Sequence, residues 1–234
     1  MADSRENNST FIHLHTHTEY SILDGALRLA DLVRAAKEMN MPAVAMTDHG
    51  NIFGAVSFFR LAKEQKIKPI LGCEMYVAPG SRKDKNPEQN QPAHFHLLLL
   101  VKDELGYRNL CELITRSYTE GFYYKPRIDK ELLARHAQGL IGLSACLKGE
   151  ISYYLEQGRE EEAERAAREY ARIFPPDDFY IELQDHGLEA QQKVNPKLVA
   201  LARKLGLPLV ATNDVHYFRK EDAESHDVLL CIQT

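Results

Sequence analysis

Three histidines lie at alternate positions in the segment FIHLHTHTEYS, as His13, His15 and His17. In an extended strand, alternate side chains point to the same face, so this spacing predicts that the three imidazoles share one site. Imidazoles serve three purposes in such a place: metal binding, acid–base catalysis with helper groups, or plain surface polarity. Which purpose applies depends on the other groups that the fold brings to the same place.

Similar side chains lie in or just after most other apolar segments of the chain. They are Asp48 and His49 in TDHG, Glu74 in GCEMYV, His96 in FHLLLLV, Cys146 in LSAC, Glu182, Asp185 and His186 in IELQDHG, and Asp214 and His216 in NDVH. Each has a plainer interpretation when taken singly. Asp24 suits a helix N-cap, Cys146 a small buried residue, and Asp214 a turn. Their recurrence at nearly every segment instead predicts one common site.

Other catalytic arrangements fit the sequence less well. It contains no G-x-S-x-G nucleophile elbow and neither of the glycine-rich phosphate-binding patterns. Imidazoles and carboxylates with one thiolate suit zinc, manganese or iron better than magnesium or calcium. The number of candidate ligands exceeds four, which predicts more than one ion, with Glu74 or Asp214 as a bridge.

The apolar segments alternate with segments of helical period. The predicted strands are 11–15, 43–47, 69–77, 95–101, 140–144, 179–183 and 208–212, and helical spacing is clearest around 29–36, 110–114, 163–170 and 198–205. This alternation predicts a parallel sheet covered by helices, and seven strands favour a closed or nearly closed barrel. Loops after parallel strands converge on one face, where the candidate ligands would meet. His96 fits this less well, because it lies near the start of its strand.

The composition indicates an ordinary globular chain. Of 234 residues, 44% are hydrophobic and 27% charged, and the formal net charge is −5. No apolar run reaches membrane length and no signal peptide is evident, so we expect a cytoplasmic protein. The negative charge argues against broad electrostatic coating of nucleic acid. We expect a polar tail at 1–10 and one domain at 11–234, and an apolar helix face running up to Thr234 predicts a fragment of a longer chain.

Several motifs together resemble those of one family. They are HLHTHTEYSILDG, TDHGN, GCEMYV, HLLLLVKDELGYRNL, GFYYKPRID, LSACLKGE and TNDVHY. The chain is similar to the PHP (polymerase and histidinol phosphatase) family, and GYRNL and GFYYKPRID resemble the branch found in alpha subunits of bacterial DNA polymerase III. The resemblance extends from about Phe11 to the end of the sequence. It implies a distorted (β/α)7 barrel with the metal site at the C-terminal face of the strands.

The resemblance also implies two to three divalent ions, zinc or manganese with iron as a further option. The implied ligands are His15, His17, Asp24, His49, Glu74, His96, Cys146, Asp214 and His216. His13 would have a supporting role, and His94 remains a rival to His96. Asp24, Glu74, Asp214 and His216 are the implied catalytic members. Three divalent ions would outweigh the acidic ligands and leave a net positive charge, which suits a phosphodiester.

These features predict 3′→5′ exonuclease proofreading at the 3′ end of a DNA primer. The partners would be the rest of the polymerase alpha subunit and a separate proofreading exonuclease subunit, with no membrane involved. The predicted substrate contacts are Lys125, Arg127, Lys148 and His186. For GFYYKPR, single-strand binding and a packed turn fixed by Pro126 stay equally open. Two other functions also stay open: phosphomonoester hydrolysis, and a non-catalytic scaffold stabilised by metal.

Overall fold

The computed structural model describes residues 11–85 and 92–232, so the predicted tail at 1–10 and the end at Thr234 lie outside the described residues. The strands are β1 (Ala43–Met46), β2 (Lys68–Val77), β3 (Phe95–Val101), β4 (Arg127–Ile128), β5 (Leu140–Leu143), β6 (Phe179–Leu183) and β7 (Leu209–Ala211). The helices are α1 (Leu29–Glu38), α2 (Ala55–Glu64), α3 (Glu104–Thr119), α4 (Lys130–His136), α5 (Glu150–Glu156), α6 (Glu160–Ile173), α7 (Glu189–Leu205) and α8 (Ala223–Leu230).

One sheet has the strand order β1-β2-β3-β5-β6-β7, with β4 beside β2. Most neighbours are parallel, but β3 runs antiparallel to both β2 and β5. The prediction of an all-parallel sheet was therefore wrong at β3. The segment FHLLLLV is buried on both faces, so its apolar pattern looks the same in either direction. The reversed direction places the start of β3 beside the C-terminal end of β2, with His96 paired to Tyr76.

The first predicted strand, 11–15, does not form a regular strand. Instead, residues 13–17 join the two ends of the sheet. The carbonyl of His13 accepts a hydrogen bond from Ala45 in β1, while the amide of His17 donates to the carbonyl of Val215, just after β7. These bonds draw the sheet into a curled half-barrel, which confirms the predicted α/β barrel-type fold.

Helices cover the outside of the sheet, as their apolar spacing predicted. On α1 the buried residues are Leu29, Leu32, Val33 and Ala36, and on α6 they are Ala163, Ala166, Ala167 and Tyr170. The main core lies between β2, β3 and β5 on one side and helices α3 to α7 on the other. No helix in the described ranges combines the length and apolar character needed to cross a membrane.

Candidate metal centre

The structure brings all nine predicted ligand side chains into one cluster at the end of the half-barrel. They come from within β2, from the start of β3, from the loops after β1, β5 and β7, and from the segment 15–24. The antiparallel direction of β3 resolves the difficulty with His96, because the start of β3 lies at the same face as the C-terminal ends of β2 and β5. Residues separated by 200 positions in the sequence therefore meet in space.

Glu74 occupies the middle of the cluster. Its side chain is 1% exposed and its two carboxylate oxygens lie near four imidazoles. Oε1 lies 3.0 Å from Nδ1 of His96 and 3.4 Å from Nε2 of His15. Oε2 lies 2.9 Å from Nδ1 of His49 and 3.5 Å from Nε2 of His17. One carboxylate thus contacts donors from three separate parts of the chain, as a bridging ligand would.

Asp214 is the second carboxylate that contacts the buried histidines of the cluster. Its Oδ1 lies 3.2 Å from Nε2 of both His15 and His17, whose Nε2 atoms are themselves 3.1 Å apart. The ring of His17 lies between those of His49 and His216, with ring centroids 4.1 and 4.2 Å away. Close packing of several imidazoles around a carboxylate is typical of a ligand set for cations.

The remaining members form a more exposed rim. Oδ2 of Asp24 lies 3.1 Å from Nε2 of His49, and Sγ of Cys146 lies 4.0 Å from Nδ1 of His96. The geometry favours His96 over His94 as the ligand. His94 instead has its ring stacked behind that of His96, at 5.9 Å, and edge-on to Tyr76.

Unusual backbone conformations occur directly beside two of these residues. Asp214 and Ala145, which precedes Cys146, both have positive φ, at 47° and 62°. Gly25, next to Asp24, approaches the chain so closely that a Cβ would lie 1.8 Å from the carbonyl oxygen of Thr18. Strained or crowded backbone of this kind concentrates at functional sites, where the surrounding structure holds it in place.

His17 is oriented by residues outside the implied ligand set. The Ser21 hydroxyl donates to the Asp48 carboxylate at 2.7 Å, and it therefore accepts from Nδ1 of His17 at 3.1 Å. Asp48 also accepts from the amide and hydroxyl of Thr18. This network keeps the proton of His17 on Nδ1, which leaves the lone pair of Nε2 directed at the cluster.

His15 is oriented by a carboxylate instead. Oε1 of Glu182 lies 2.7 Å from Nδ1 of His15 and also accepts from Gln184 and from the hydroxyl of Thr212. Glu182 on β6 and Gln184 just after it alternate with apolar residues, and this alternation was the available signal for a polar inner face. In His216, Nδ1 similarly donates to the carbonyl of Asp214 at 2.8 Å. In the neutral form, each of these three histidines thus presents Nε2 as an acceptor to the cluster.

Burial and mutual contact shift the pKa values of the cluster in opposite directions. Burial disfavours the charged form of His49, but Glu74 and Asp24 outweigh this and raise its pKa to about 9. Burial and the charge of His49 lower the pKa of His17 to about 3. Burial opposes ionisation of Asp24, yet the hydrogen bond and charge of His49 lower its pKa to about 2. Burial and Glu74 raise the pKa of the Cys146 thiol well above its usual value, and a bound cation would act in the opposite direction.

Three buried atoms in the cluster lack any partner with hydrogen-bond geometry: Oε1 of Glu74, Oδ1 of Asp214 and Nδ1 of His49. Buried polar atoms are nearly always paired, so their environment is incomplete without a further group. Three overlapping sets have ligand atoms within 4.8 Å of one another: His15, His17 and Asp214; His49, Glu74 and His96; and His17, His49 and His216. The donor set therefore fits more than one divalent metal ion.

The four predicted substrate contacts have different environments. Arg127 is 1% exposed, and its guanidinium donates to the carbonyls of Gly121, Ala93, Arg82 and Asp84. It holds the turn together, as the packed-turn alternative requires. Both ring nitrogens of His186 are engaged, by Gln191 and by the carbonyl of Asn213. Lys148 is exposed beside Cys146, and the Lys125 ammonium lies 5.5 Å above the ring of Tyr76.

His13 lies apart from the cluster. Its ring contacts that of Phe11 and lines a largely apolar cavity beside α1, together with Leu32 and Met39. Only its backbone carbonyl takes part in the join between residues 13–17 and β1. Its supporting role is therefore limited to the backbone.

Comparison with known proteins gives a consistent result. The family model described as "PHP domain" matches residues 13–186. The chain is 53% identical to DNA polymerase III subunit alpha of Treponema pallidum and 54% identical to that of Thermus aquaticus. Each of these matches covers 96% of the present chain. It spans about a fifth of the length of these relatives, 19% and 18% respectively.

Two solved structures share its fold at low sequence identity. One is a protein from Bifidobacterium adolescentis assigned as a metal-dependent phosphoesterase, with a TM-score of 0.56 and 14% identity over 91% of this chain and 90% of that one. The other is an amidohydrolase from Chromobacterium violaceum with bound sulfate and no metal, with a TM-score of 0.55 and 16% identity over 90% of this chain and 89% of that one.

Proposed function

The chain belongs to the PHP domain family, and from this premise we propose that its buried cluster binds two to three divalent metal ions and hydrolyses phosphodiester bonds. The proposed substrate is the 3′ end of a DNA primer, shortened in the 3′→5′ direction as in proofreading. The proposed setting is the cytoplasm. The proposed partners are the remainder of a DNA polymerase III alpha subunit and a separate exonuclease subunit.

The observation that carries the proposal is the environment of Glu74. A fully buried carboxylate contacts four imidazoles, yet its Oε1 has no hydrogen-bond donor. A buried polar atom left without a partner costs on the order of 1–3 kcal/mol. Such a cost is expected where a bound cation completes the environment, and it is hard to explain in a purely structural cluster.

The ligand sets indicate how the ions would be held. His15, His17 and Asp214 form the innermost set, while His49, Glu74 and His96 form a second, with Cys146 beside His96. The mixture of imidazoles, carboxylates and a thiol favours zinc or manganese, with iron as a further option. When bound, the ions supply positive charge to phosphate oxygens and lower the pKa of coordinated water to about 7.

The chain's own residues provide orientation and proton handling. Asp24, His49, Cys146, Asp214 and His216 are the partly exposed members of the cluster, so they are the ones that a substrate reaches. Nδ1 of His216 donates to the carbonyl of Asp214, which leaves Nε2 free to bind an ion or accept a proton. The charges of Lys125 and Lys148 help to lower the pKa of His94, and the same ammonium groups would supply charge for the backbone of the strand. Arg127 and His186, which are fully engaged by the protein, act by holding the loops that carry these groups.

A scaffold function is the second candidate, and one observation favours it. The cluster joins residues 15–24, near the start of the described chain, to residues 214–216 after the last strand. Ions bound there would fasten the two ends of the half-barrel together, and metal binding then contributes directly to folding. Hydrolysis and stabilisation are compatible, so the experiment must measure both.

The test is degradation of a 5′-labelled single-stranded DNA by the purified chain with added zinc or manganese. We expect a ladder shortening from the 3′ end, abolished in Asp214→Asn and His216→Ala. His136→Ala, which changes a histidine on α4 outside the cluster, is the matched control and should retain activity. A substrate ending in a 3′-phosphate separates phosphodiester from phosphomonoester hydrolysis. Absence of cleavage, with bound metal verified by elemental analysis, would overturn the nuclease and leave the scaffold.

A further inference from the structure

A cleft opens directly beside the cluster. It has a volume of about 160 Å³, and two of its lining residues, Asp24 and His49, also belong to the candidate metal centre. The other walls include the aromatic rings of Tyr20, Phe53 and Tyr118. A phosphate held at the centre would therefore have its sugar and base within reach of this cleft.

The aromatic side chains of the cleft present unusually exposed surface. Phe53 is 64% exposed and Tyr118 is 41% exposed, although both are large apolar residues. Exposed apolar surface beside a polar site commonly marks a binding surface. Tyr20, by contrast, is packed against Gly54, where an added Cβ would lie 2.8 Å from its ring. The cleft thus combines a fixed ring with two that remain available for contact.

The cleft also carries positive charge suited to a nucleotide. The Lys125 ammonium lies 5.5 Å from the ring centroid of Tyr76, and that ring is stacked on His49 at 5.7 Å. Within residues 11–85 and 92–232, no carboxylate forms an ion pair with Lys125. A phosphate at the centre would place negative charge close to this ammonium, while aromatic faces accept the attached base.

The amide of Asn51 is not available to read that base. Its Nδ2 donates to the carbonyls of Tyr20 and His49, and its Oδ1 accepts from the amide of Phe53. These bonds fix the loop that carries Phe53, and they use both donors of the amide. Recognition through this cleft would therefore depend on stacking, which every base supports, more than on base-specific hydrogen bonds.

We propose that this cleft binds the base of the 3′-terminal nucleotide by stacking on Phe53 and Tyr118, without selecting a particular base. The inference rests on the proposed function, because it assumes that a phosphate of DNA binds at the cluster. It predicts a nuclease that accepts all four terminal bases and disfavours an end without a base. An apolar side chain of a partner protein is the rival occupant, and it would give no such discrimination.

The test measures binding separately from cleavage. The probe is the 5′-monophosphate of 2-aminopurine deoxyriboside, whose fluorescence falls on stacking, and the chain contains no tryptophan to interfere. Deoxyribose 5-phosphate, added as a competitor, is the ligand without a base. With the metal-loaded chain we expect quenching and a Kd roughly 5- to 100-fold lower for the probe than for deoxyribose 5-phosphate.

Phe53→Ala should remove this difference by weakening binding of the probe alone, and Phe53→Tyr should restore it. Phe59→Ala is the matched control, since Phe59 is an exposed phenylalanine on α2 that does not line the cleft. Equal affinity for both ligands in the unmodified chain, an equal loss of both in Phe53→Ala, or no binding of either would overturn the proposal.

Cleavage of 5′-labelled strands with a normal or an abasic 3′ terminus then separates the two proposals. Base-dependent binding without any cleavage would overturn the exonuclease and leave the cleft assignment standing. Cleavage at equal rates from the normal and the abasic 3′ terminus, without quenching of the probe, would overturn the cleft assignment and leave the exonuclease.

Discussion

Two buried networks of charged side chains lie in this molecule, and they differ in how completely they are paired. In the first, around Asp129, every strong group has a partner. The Asp129 carboxylate accepts from the amide and the guanidinium of Arg82 and from the amide of Leu132, and Arg82 also binds Glu120. In the second, around Glu74, short contacts abound but Oε1 of Glu74 and Oδ1 of Asp214 lack donors.

The difference separates structure from function. Burial of charge is costly in both networks, but only the first offsets that cost with protein groups alone. Arg127 belongs to the first network, since it donates to the carbonyls of Arg82 and Asp84. This explains why a basic residue in the aromatic segment GFYYKPR is buried. The Glu74 network stays incomplete without a cation, which is what a binding site requires.

The largest effect on stability is expected from breaking the complete network. Asp129→Ala removes an ion pair and the N-cap of α4 at once, and breaking a buried pair costs roughly 3–5 kcal/mol. Urea unfolding in the presence of a chelator measures this loss. Asp103→Ala is the control, because Asp103 caps α3 through Gly106 without an arginine partner, and such a cap is worth about 1 kcal/mol. Equal losses in the two variants would refute the assigned role of the ion pair.

The incomplete network should respond to metal, and the complete one should not. At a metal concentration about a thousandfold above Kd, binding stabilises the folded chain by about 4 kcal/mol. In Glu74→Gln this gain should nearly vanish, because each oxygen of the Glu74 carboxylate lies near two of the candidate histidine ligands. Asp129→Asn should keep the full gain despite its lower stability. Thermal unfolding with and without metal measures both. A gain that survives Glu74→Gln would remove Glu74 from the centre.

The two networks should also differ in their response to pH when metal is absent. The native pKa of His49 is about 9, against about 6.5 when unfolded, so its contribution is complete below pH 6.5 and is lost as the pH rises through 9. This loss is on the order of 3 kcal/mol. His17, with a pKa of about 3, stays neutral throughout this window.

Unfolding in chelator between pH 6.5 and 9.5 measures the slope, which His49→Asn should reduce. In the metal-loaded chain the imidazoles are already neutral ligands, so the stability conferred by metal should increase with pH. The Asp129 network pairs arginine with carboxylates, and none of these residues is a histidine. A flat profile for the metal-free chain would contradict the charged state assigned to His49.

The sequence anticipated which candidate ligands gather in one cluster better than it anticipated the geometry that supports them. Most candidate ligands lie in or just after an apolar segment, so their meeting at one end of the sheet could be anticipated from residue type and position. The direction of β3 could not be anticipated, because an apolar segment buried on both faces has the same pattern whichever way the strand runs. His96 was the residue in conflict with a parallel sheet, and that conflict was the one sequence signal of the reversal.

The roles of Arg127 and Glu182 depended on contacts that no local pattern contains. Arg127 is fixed by four carbonyls from three separate stretches of chain, and their convergence is a property of the folded state. Glu182 is 167 residues from His15, the histidine that it orients. A single acidic residue in a strand predicts at most a polar inner face. The identity of its partner follows only from the folded structure.

The smallest effect is expected from Glu182, which acts on the cluster through His15. Carboxylates that accept the second N–H of a metal-binding histidine fix its orientation, and their loss typically lowers metal affinity about 10- to 100-fold. Glu182→Gln keeps the size of the side chain and the oxygen that accepts from Nδ1 of His15, but removes the negative charge. Metal affinity measured by competition with a chromophoric chelator should fall by that amount.

Glu150→Gln provides the matched control for this change. Glu150 is also buried, and it accepts from the hydroxyl of Tyr170 and pairs with Lys130, away from the cluster. Its replacement should lower stability without altering metal affinity. If both variants bound metal equally well, the Glu182 carboxylate would be a packing feature of β6, and the difference between the two networks would stop at the ligands themselves.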